Sequence, residues 1–263
     1  MEALEEDEFK KITKSTGKNK YKDKDIYKTD KKGKFETDKK GNKIFDKAKA
    51  TKWLQRELGV KDDGDFGTGS KQAALKSTTI HQLKNAIKDK GFTRKQRAKV
   101  KKLLKMARVA FGEFGTSGQI SSKDFERYAK VVISTLINRL SHPEWKGQSL
   151  DKIMKGYNAV TDNEGKGSDA YQIFGGHGKL DDKYTNMSIS DLIKFSQNIK
   201  TSINAAAQAV ATGKPFHDKG LVFYYSPDGM KPKGSKPKTW DFKKLKRVKT
   251  ATKDNLLKAY KYK

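Results

Sequence analysis

KMARVAFGEFGTSGQISSKDFERYAKVVISTLINRL, residues 105–140, holds two helical patterns separated by a glycine-rich break, with a single carboxylate at the break. Leu103, Leu104, Ala107, Ala110 and Phe111 recur at helical spacing, which predicts an amphipathic helix with one buried stripe. Glu113 lies at the edge of that stripe, and counting back four and seven positions reaches Val109 and Met106. Apolar surroundings disfavour the charged form of a carboxyl group and move it toward the range of a general acid. An ordinary surface glutamate near a helix end has the same spacing, since Glu is a common helix residue.

Thr93-Arg94-Lys95-Gln96 is a capping box that sets the start of this helix. After a loop from Gly115 to Ser122, Ser121 or Ser122 caps a second helix. Its buried face is expected to comprise Phe125, Tyr128, Val132, Ile133, Leu136 and Leu140. Further along, Ser188-Ile189-Ser190-Asp191 opens an alanine-rich helix that Gly213 and Pro215 terminate. The run from Gly220 to Ser226 is predicted to be a buried strand, with a turn at Pro227-Asp228-Gly229.

Within this frame, Ala107-Arg108-Val109-Ala110-Phe111-Gly112-Glu113-Phe114-Gly115, followed by the apolar run Val131 to Leu140 ending in Asn138-Arg139-Leu140, resembles the catalytic core of SleB-type cell wall hydrolases. These are spore-cortex-lytic and phage-borne peptidoglycan glycosidases. The run from Gly220 to Pro227, with Pro237 and Trp240 beyond it, is similar to the family's closing aromatic strand and its Pro-x-Trp. The resemblance implies a lysozyme-like domain with Glu113 as the catalytic acid, and substrate-binding residues at Asn138, Tyr171, Gln172, Phe174, Tyr224, Tyr225 and Trp240. The family's second Glu has no counterpart, because Thr116 and Ser117 stand there. Glu126 or Asp124 could substitute, although both also suit an ordinary helix surface. The Tyr171–Phe174 segment offers flat apolar faces and an amide for sugar recognition, or aromatics that merely pin a long loop.

Residues 50–75, ATKWLQRELGVKDDGDFGTGSKQAAL, resemble the peptidoglycan-binding module found beside many wall hydrolases. Trp53, Leu54 and Leu58 share one helical face, and the Asp63-Gly64-Asp65-Phe66-Gly67 turn is expected to bury Phe66 against it. The resemblance assigns wall binding to Trp53, Asp63, Gly64 and Phe66. The module usually has a helix ahead of this one, where here the charged repeat described next stands. The acidic loop lacks the alternating ligands and terminal Glu of an EF-hand.

That repeat is TDKKGKF (29–35), recurring as TDKKG (37–41) before Asn42-Lys43-Ile44-Phe45. An Asp opening a turn and a Gly closing it predict tight hairpins, so residues 21–46 suggest a three-strand β-meander, or failing that an unstructured basic arm. A short helix is expected over residues 80–90, ending at Gly91. The predicted organisation is a charged arm (1–20), a β-meander with the peptidoglycan-binding-like module (21–91), a SleB-like catalytic domain (92–242) and a basic tail (243–263) that is a peripheral helix or a polyanion-binding arm. The fold class is α+β, mainly α.

Composition bounds the function. The chain of 263 residues has no cysteine, so disulfides and thiolate metal sites are excluded. The four histidines, His81, His142, His177 and His217, show no ligand spacing, and neither a metal nor a cofactor is expected. A net charge of +28 favours polyanions such as nucleic acid, anionic wall polymer or lipopolysaccharide without choosing among them. The N-terminus, Met1-Glu2-Ala3-Leu4-Glu5-Glu6-Asp7-Glu8, is acidic where a secretory signal would be basic and then apolar, and no apolar run is long enough to span a bilayer.

With one strong acid, the economical chemistry is that of a lytic transglycosylase acting on peptidoglycan, delivered to the cell wall by a phage particle or lysis system, with virion or tail proteins as further partners. True hydrolysis would need a partner such as Asp162 or Asp169. The rival expectation is a basic structural or nucleic-acid-binding virion protein that keeps a lysozyme-like fold without activity.

Overall fold

The computed structural model describes residues 2–87, 91–115, 120–154, 170, 173–174, 186–217, 220–225, 240–248 and 257–263. It is mainly helical, with one small antiparallel sheet. Two compact units are present. One comprises Met1–Asn85 with His177–Lys200, the other Ala86–Gly176 with Thr201–Lys263. The break therefore falls before the expected boundary at residue 91, and a segment of the expected catalytic domain belongs to the first unit.

The first unit opens with helix α1 (Glu6–Thr16). Its only large apolar residues, Phe9 and Ile12, are both buried, as is Leu4 just ahead of it. Each such burial contributes about 1.5–3 kcal/mol, enough to hold a helix that is otherwise charged. The expected arm at residues 1–20 is thus part of the core. Its C-terminus is closed by Gly17 in the left-handed region, at φ 73°.

After the short helix α2 (Asp23–Ile26) come two nearly identical turns. Asp30 Oδ1 accepts from the backbone N–H of Lys32 and Lys34, and Asp38 Oδ1 accepts from those of Lys40 and Asn42. Three backbone bonds close a ring at the base: Lys28 N–H to Ile44 O, Ile44 N–H to Glu36 O, and Glu36 N–H to Lys28 O. Residues 28, 36 and 44 are eight apart, so the ring carries the sequence repeat into three dimensions. Pairing here is limited to the isolated bridges Tyr27–Phe45, Thr29–Phe35 and Thr37–Lys43, so the expected three-strand meander is two hairpin turns on a hydrogen-bonded ring. Eight residues after Asp38, Asp46 caps helix α3 (Lys47–Leu58) by accepting from Lys49 N–H at 3.1 Å.

Helix α4 (Thr68–Ile87) runs unbroken into the region where a separate short helix was expected at 80–90, of which residues 88–90 lie outside the described residues. Lys71 is buried on it, and its ammonium reaches Glu2 Oε2 at 2.6 Å and the Met187 carbonyl at 2.9 Å.

In the second unit, α5 (Arg94–Ala110) starts at the expected capping box, where Thr93 and Gln96 exchange side-chain and backbone bonds. A single π-helical turn (Phe111–Gly115) follows. Helix α6 (Ser122–Ser141) is capped by Ser121, which accepts from Asp124 N–H. Its buried face includes Phe125, Tyr128, Val132, Ile133 and Leu136, while Leu140 is half-buried. A 3-10 turn (Pro143–Trp145) and α7 (Leu150–Met154) come next. Helix α8 (Ile189–Thr212) starts at the Ser188 cap and ends at Gly213, and it runs through the division between the units.

Strand β1 (Leu221–Tyr225) lies at one edge of a sheet whose centre is β3 (Lys258–Tyr262) and whose other edge is β2 (Leu245–Arg247). Both pairings are antiparallel, with Phe223 opposite Tyr260 and Leu245 opposite Tyr262. The C-terminal residues expected to be a helix or an arm thus supply two of the three strands. The turn at Pro227-Asp228-Gly229 lies outside the described residues.

Candidate functional site

Glu113 is half-exposed on the π turn, one residue before buried Phe114 and two after buried Phe111. The i→i+5 pattern of such a turn inserts an extra residue into the helical count, and single π turns are frequent at functional sites. The expectation of a plain helix end at this point is corrected accordingly. The two neighbouring rings anchor the turn. Phe111 packs on Phe174 at 5.9 Å between centroids, and Phe114 on Tyr128 at 5.2 Å and Tyr224 at 6.2 Å. Phe174 and Tyr224 are therefore brought to the turn that carries Glu113.

Trp240 goes elsewhere. It packs on Phe223 at 4.9 Å, and Phe223 precedes Tyr224 on β1, so the two strand residues point to opposite faces. Around Trp240 and Phe223 gather Phe242, Tyr260, Tyr262 and Trp145. This second aromatic cluster belongs to the sheet and lies on the side away from the Glu113 turn.

Asn138 is buried, 4% exposed, and its Nδ2 donates to the Leu221 carbonyl at 2.8 Å. Arg139 Nε donates to the next carbonyl, Val222, also at 2.8 Å, with its guanidinium over the rings of Trp145 and Phe223. The Asn-Arg pair that closes α6 is thus the clamp that holds β1 on the helix. Tyr171, Gln172 and the side chain of Tyr225 lie outside the described residues, as do Thr116, Ser117, Asp162 and Asp169. Asp124 and Glu126 are engaged on the surface of α6, with Arg127 and Lys130 respectively.

A cavity of about 670 Å³, lined by Ile137, Asn138, Ser141, Gly213, Lys214, Pro215 and His217, opens beside the ends of α6 and α8; Glu113 does not line it. His217 Nε2 is buried there with no partner among the described residues, and its imidazole is pushed below its ordinary value by burial and then by the Lys130 ammonium. Sequence spacing gave no hint of this histidine, because the groups around it come from positions some 80 residues earlier: the backbone N–H groups of Phe216 and His217 both donate to Ser134 Oγ.

In the first unit, of the four residues assigned to wall binding, two are buried, one is half-buried and one is exposed. Phe66 and Gly64 are buried. Gln55, buried on α3, accepts from Gly64 N–H at 2.8 Å and shares its Nε2 among Asp63 Oδ1, Asp65 O and Ser70 Oγ. That amide bond and the Asp65 N–H hold the exposed Asp63 carboxyl below its usual range. Trp53 is half-buried in an aromatic cluster with Phe9 and Tyr21. The turn therefore buries Gly64 and Phe66 and leaves Asp63 at its surface.

Among the described residues no three His, Asp or Glu side chains gather as a metal site, and no helix is long and apolar enough to cross a membrane. Comparison of the chain with protein-family models, with curated proteins and with solved structures finds no match.

Proposed function

We propose that this chain cleaves the glycan strands of bacterial peptidoglycan at the N-acetylmuramyl–N-acetylglucosamine bond, with Glu113 as the single acid–base group. The observation that carries the proposal is the setting of Glu113: a half-exposed carboxylate on a lone π turn, between two phenylalanines locked to Phe174 and Tyr224. Rigid packing on both sides holds such a group in one position, as general acid catalysis requires. The resemblance to SleB-type hydrolases in residues 107–115 and 131–140 supports the same assignment.

In this mechanism the Glu113 carboxylic acid donates its proton to the bridging oxygen as the C1–O bond breaks. The resulting carboxylate then accepts the proton of the muramyl 6-hydroxyl as that oxygen bonds to C1. The products are a 1,6-anhydromuramyl end and a free N-acetylglucosamine 4-hydroxyl, and Glu113 is protonated again. No water is consumed and no second carboxylate is needed, in contrast to the paired acids of glycoside hydrolases. The helix α1 ahead of α3 supports the peptidoglycan-binding-like reading of the first unit, since the repeat of residues 27–45 then sits as an insertion between two helices of that module.

The test is incubation of the full chain and of Glu113→Gln with purified walls, followed by mass spectrometry of the soluble products. Anhydro-muropeptides from the wild type alone are the expected result. Reducing-end sugars would replace the transglycosylase chemistry with hydrolysis. Intact walls, together with salt-sensitive DNA binding, would favour the basic virion protein that the net charge of +28 also suits.

A further inference from the structure

Within residues 27–45, the lysines at the tips of the two turns are displayed in a way that no packing need explains. This segment holds seven lysines and three acids: Lys28, Lys31, Lys32, Lys34, Lys39, Lys40 and Lys43 against Asp30, Glu36 and Asp38. Its two turns repeat the same geometry, with Gly33 and Gly41 both in the left-handed region at φ 79° and 83°. Lys31 and Lys32 sit at one tip and Lys39 and Lys40 at the other, and all four side chains are exposed. Asp30 and Asp38 use one carboxylate oxygen each to bind two backbone N–H groups of their own turn, so they build the tips that carry the lysines.

The aromatic rings of the segment lie at its base and have partners there. Lys43 lies 4.3 Å over the Phe35 ring and 5.9 Å from that of Tyr27, while Tyr27 also packs on Phe45. The tips themselves carry no ring to stack on a base, which single-stranded nucleic acid binding employs. The tips carry no arginine either, and arginine is the residue favoured where planar, bidentate recognition matters. What they offer is paired ammonium point charges on flexible stems, two pairs on one rigid base. That arrangement fits a flexible chain of phosphodiesters whose charges recur along its length.

We infer that the double turn of residues 27–45 is a docking prong for a phosphodiester-linked polyol polymer of the bacterial envelope. The inference rests on the proposed function only in taking the envelope as the target; the binding itself needs no bond cleavage. The two ideas can therefore fail separately. Loss of Glu113 chemistry leaves polymer binding untouched, and loss of polymer binding leaves the released muropeptides unchanged in kind.

The experiment titrates isolated poly(glycerol phosphate) with the full chain across a series of salt concentrations. Three proteins are compared: the wild type, a prong variant (Lys31→Ser, Lys32→Ser, Lys39→Ser, Lys40→Ser), and an α5 variant with the same loss of charge (Arg94→Ser, Lys95→Ser, Lys101→Ser, Lys102→Ser), all exposed positions. Circular dichroism verifies that each is folded. The expected result is a plot of log affinity against log salt that becomes shallower by about 3 in the prong variant, as for the loss of four contacts to a single-stranded polyanion. The α5 variant should keep the wild-type slope. Equal loss in both variants would reduce the effect to net charge, and an unchanged prong variant would remove the prong from the interaction; either overturns the inference. So would a prong variant that loses only its affinity for duplex DNA, which would make nucleic acid the partner.

Discussion

Asn138 donates its side-chain Nδ2 to the Leu221 carbonyl at 2.8 Å, a bond that spans 83 positions of sequence. Arg139 repeats it at Val222, so two adjacent helix residues capture two adjacent strand carbonyls. The pair fixes β1 on α6, and through Tyr224 and Phe114 it fixes one side of the turn that carries Glu113. Asn138→Ala leaves a buried carbonyl without its donor and is expected to cost about 1–3 kcal/mol. Arg139→Ala should cost less, because its half-exposed position lets water replace the bond. Chemical denaturation of the two variants checks the order. A larger loss in Arg139→Ala would mean that its stacking on Trp145 and Phe223, and not the carbonyl clamp, holds the strand.

Gln55 plays the corresponding part in the first unit. One buried carboxamide satisfies Gly64 N–H and the Asp65 carbonyl and reaches Asp63 and Ser70. Gln55→Leu fills the same space but leaves those backbone groups without a partner, so a loss of about 2–4 kcal/mol is expected. Gln55→Glu keeps the acceptor and loses the donor next to the Asp63 carboxylate and the Asp65 carbonyl, and it should melt below the wild type by a margin that narrows as the pH is lowered.

The contrast between these two clamps explains what was legible in the residues and what was not. Thr93, Ser121 and Ser188 announce their helices because a cap is a bond to the third residue onward. The turn around Gly64 is equally local. Helix α1 was obscured by charge, since Glu5 to Lys14 contains only Phe9 and Ile12 as large apolar residues, and the decisive contacts come from elsewhere in the first unit. Strands β2 and β3 could not be seen because each is at most five residues long and the central strand β3 pairs on one side with β1, which lies more than 30 residues before it. At the candidate site, Glu113 was visible from its place on the stripe of α5. Its π turn was not, because an i→i+5 bond leaves no mark in side-chain spacing.

Two glycines separate the backbone cost of a left-handed residue from a steric one. Gly41 has open space around the position of an added Cβ, whereas at Gly17 that atom would fall 2.0 Å from His81 Nδ1. Gly41→Ala should therefore lose only the conformational term of about 1–2 kcal/mol. Gly17→Ala should lose that and the cost of displacing the imidazole. If Gly17→Ala combined with His81→Ala melts no higher than Gly17→Ala alone, the ring is not the obstacle.

His217 carries a dependence on acid. Burial, then the nearby Lys130 charge, lower its folded value below the ordinary 6.5, so the fold favours the neutral ring. Below pH 6.5 the unfolded chain takes up the proton first, and stability is lost as the pH falls from there toward the folded value. Thermal unfolding between pH 7.5 and 5 should show this decline, and His217→Gln should flatten it. Lys130→Gln should weaken it only in part, since burial is the larger cause. An unchanged slope in His217→Gln would assign the acid sensitivity to carboxylates instead.

Tyr262 supplies the opposite limb. Burial, followed by its hydrogen bond to the Glu144 carboxylate, pushes the phenol up to about 12, and its ring stacks on His142 at 5.1 Å. Because the folded value lies above the ordinary 10, the unfolded chain loses the proton first as the pH rises. Stability contributed by the neutral phenol is thus present below pH 10 and is lost between about 10 and 12. Ultraviolet titration of the phenolate band should contain one late component at the upper end of that range. Glu144→Gln removes the negative charge but leaves the burial, so the late component should move part of the way back toward 10. A full return would make Glu144 the sole cause, and no movement would show that the carboxylate does not face the phenol in solution.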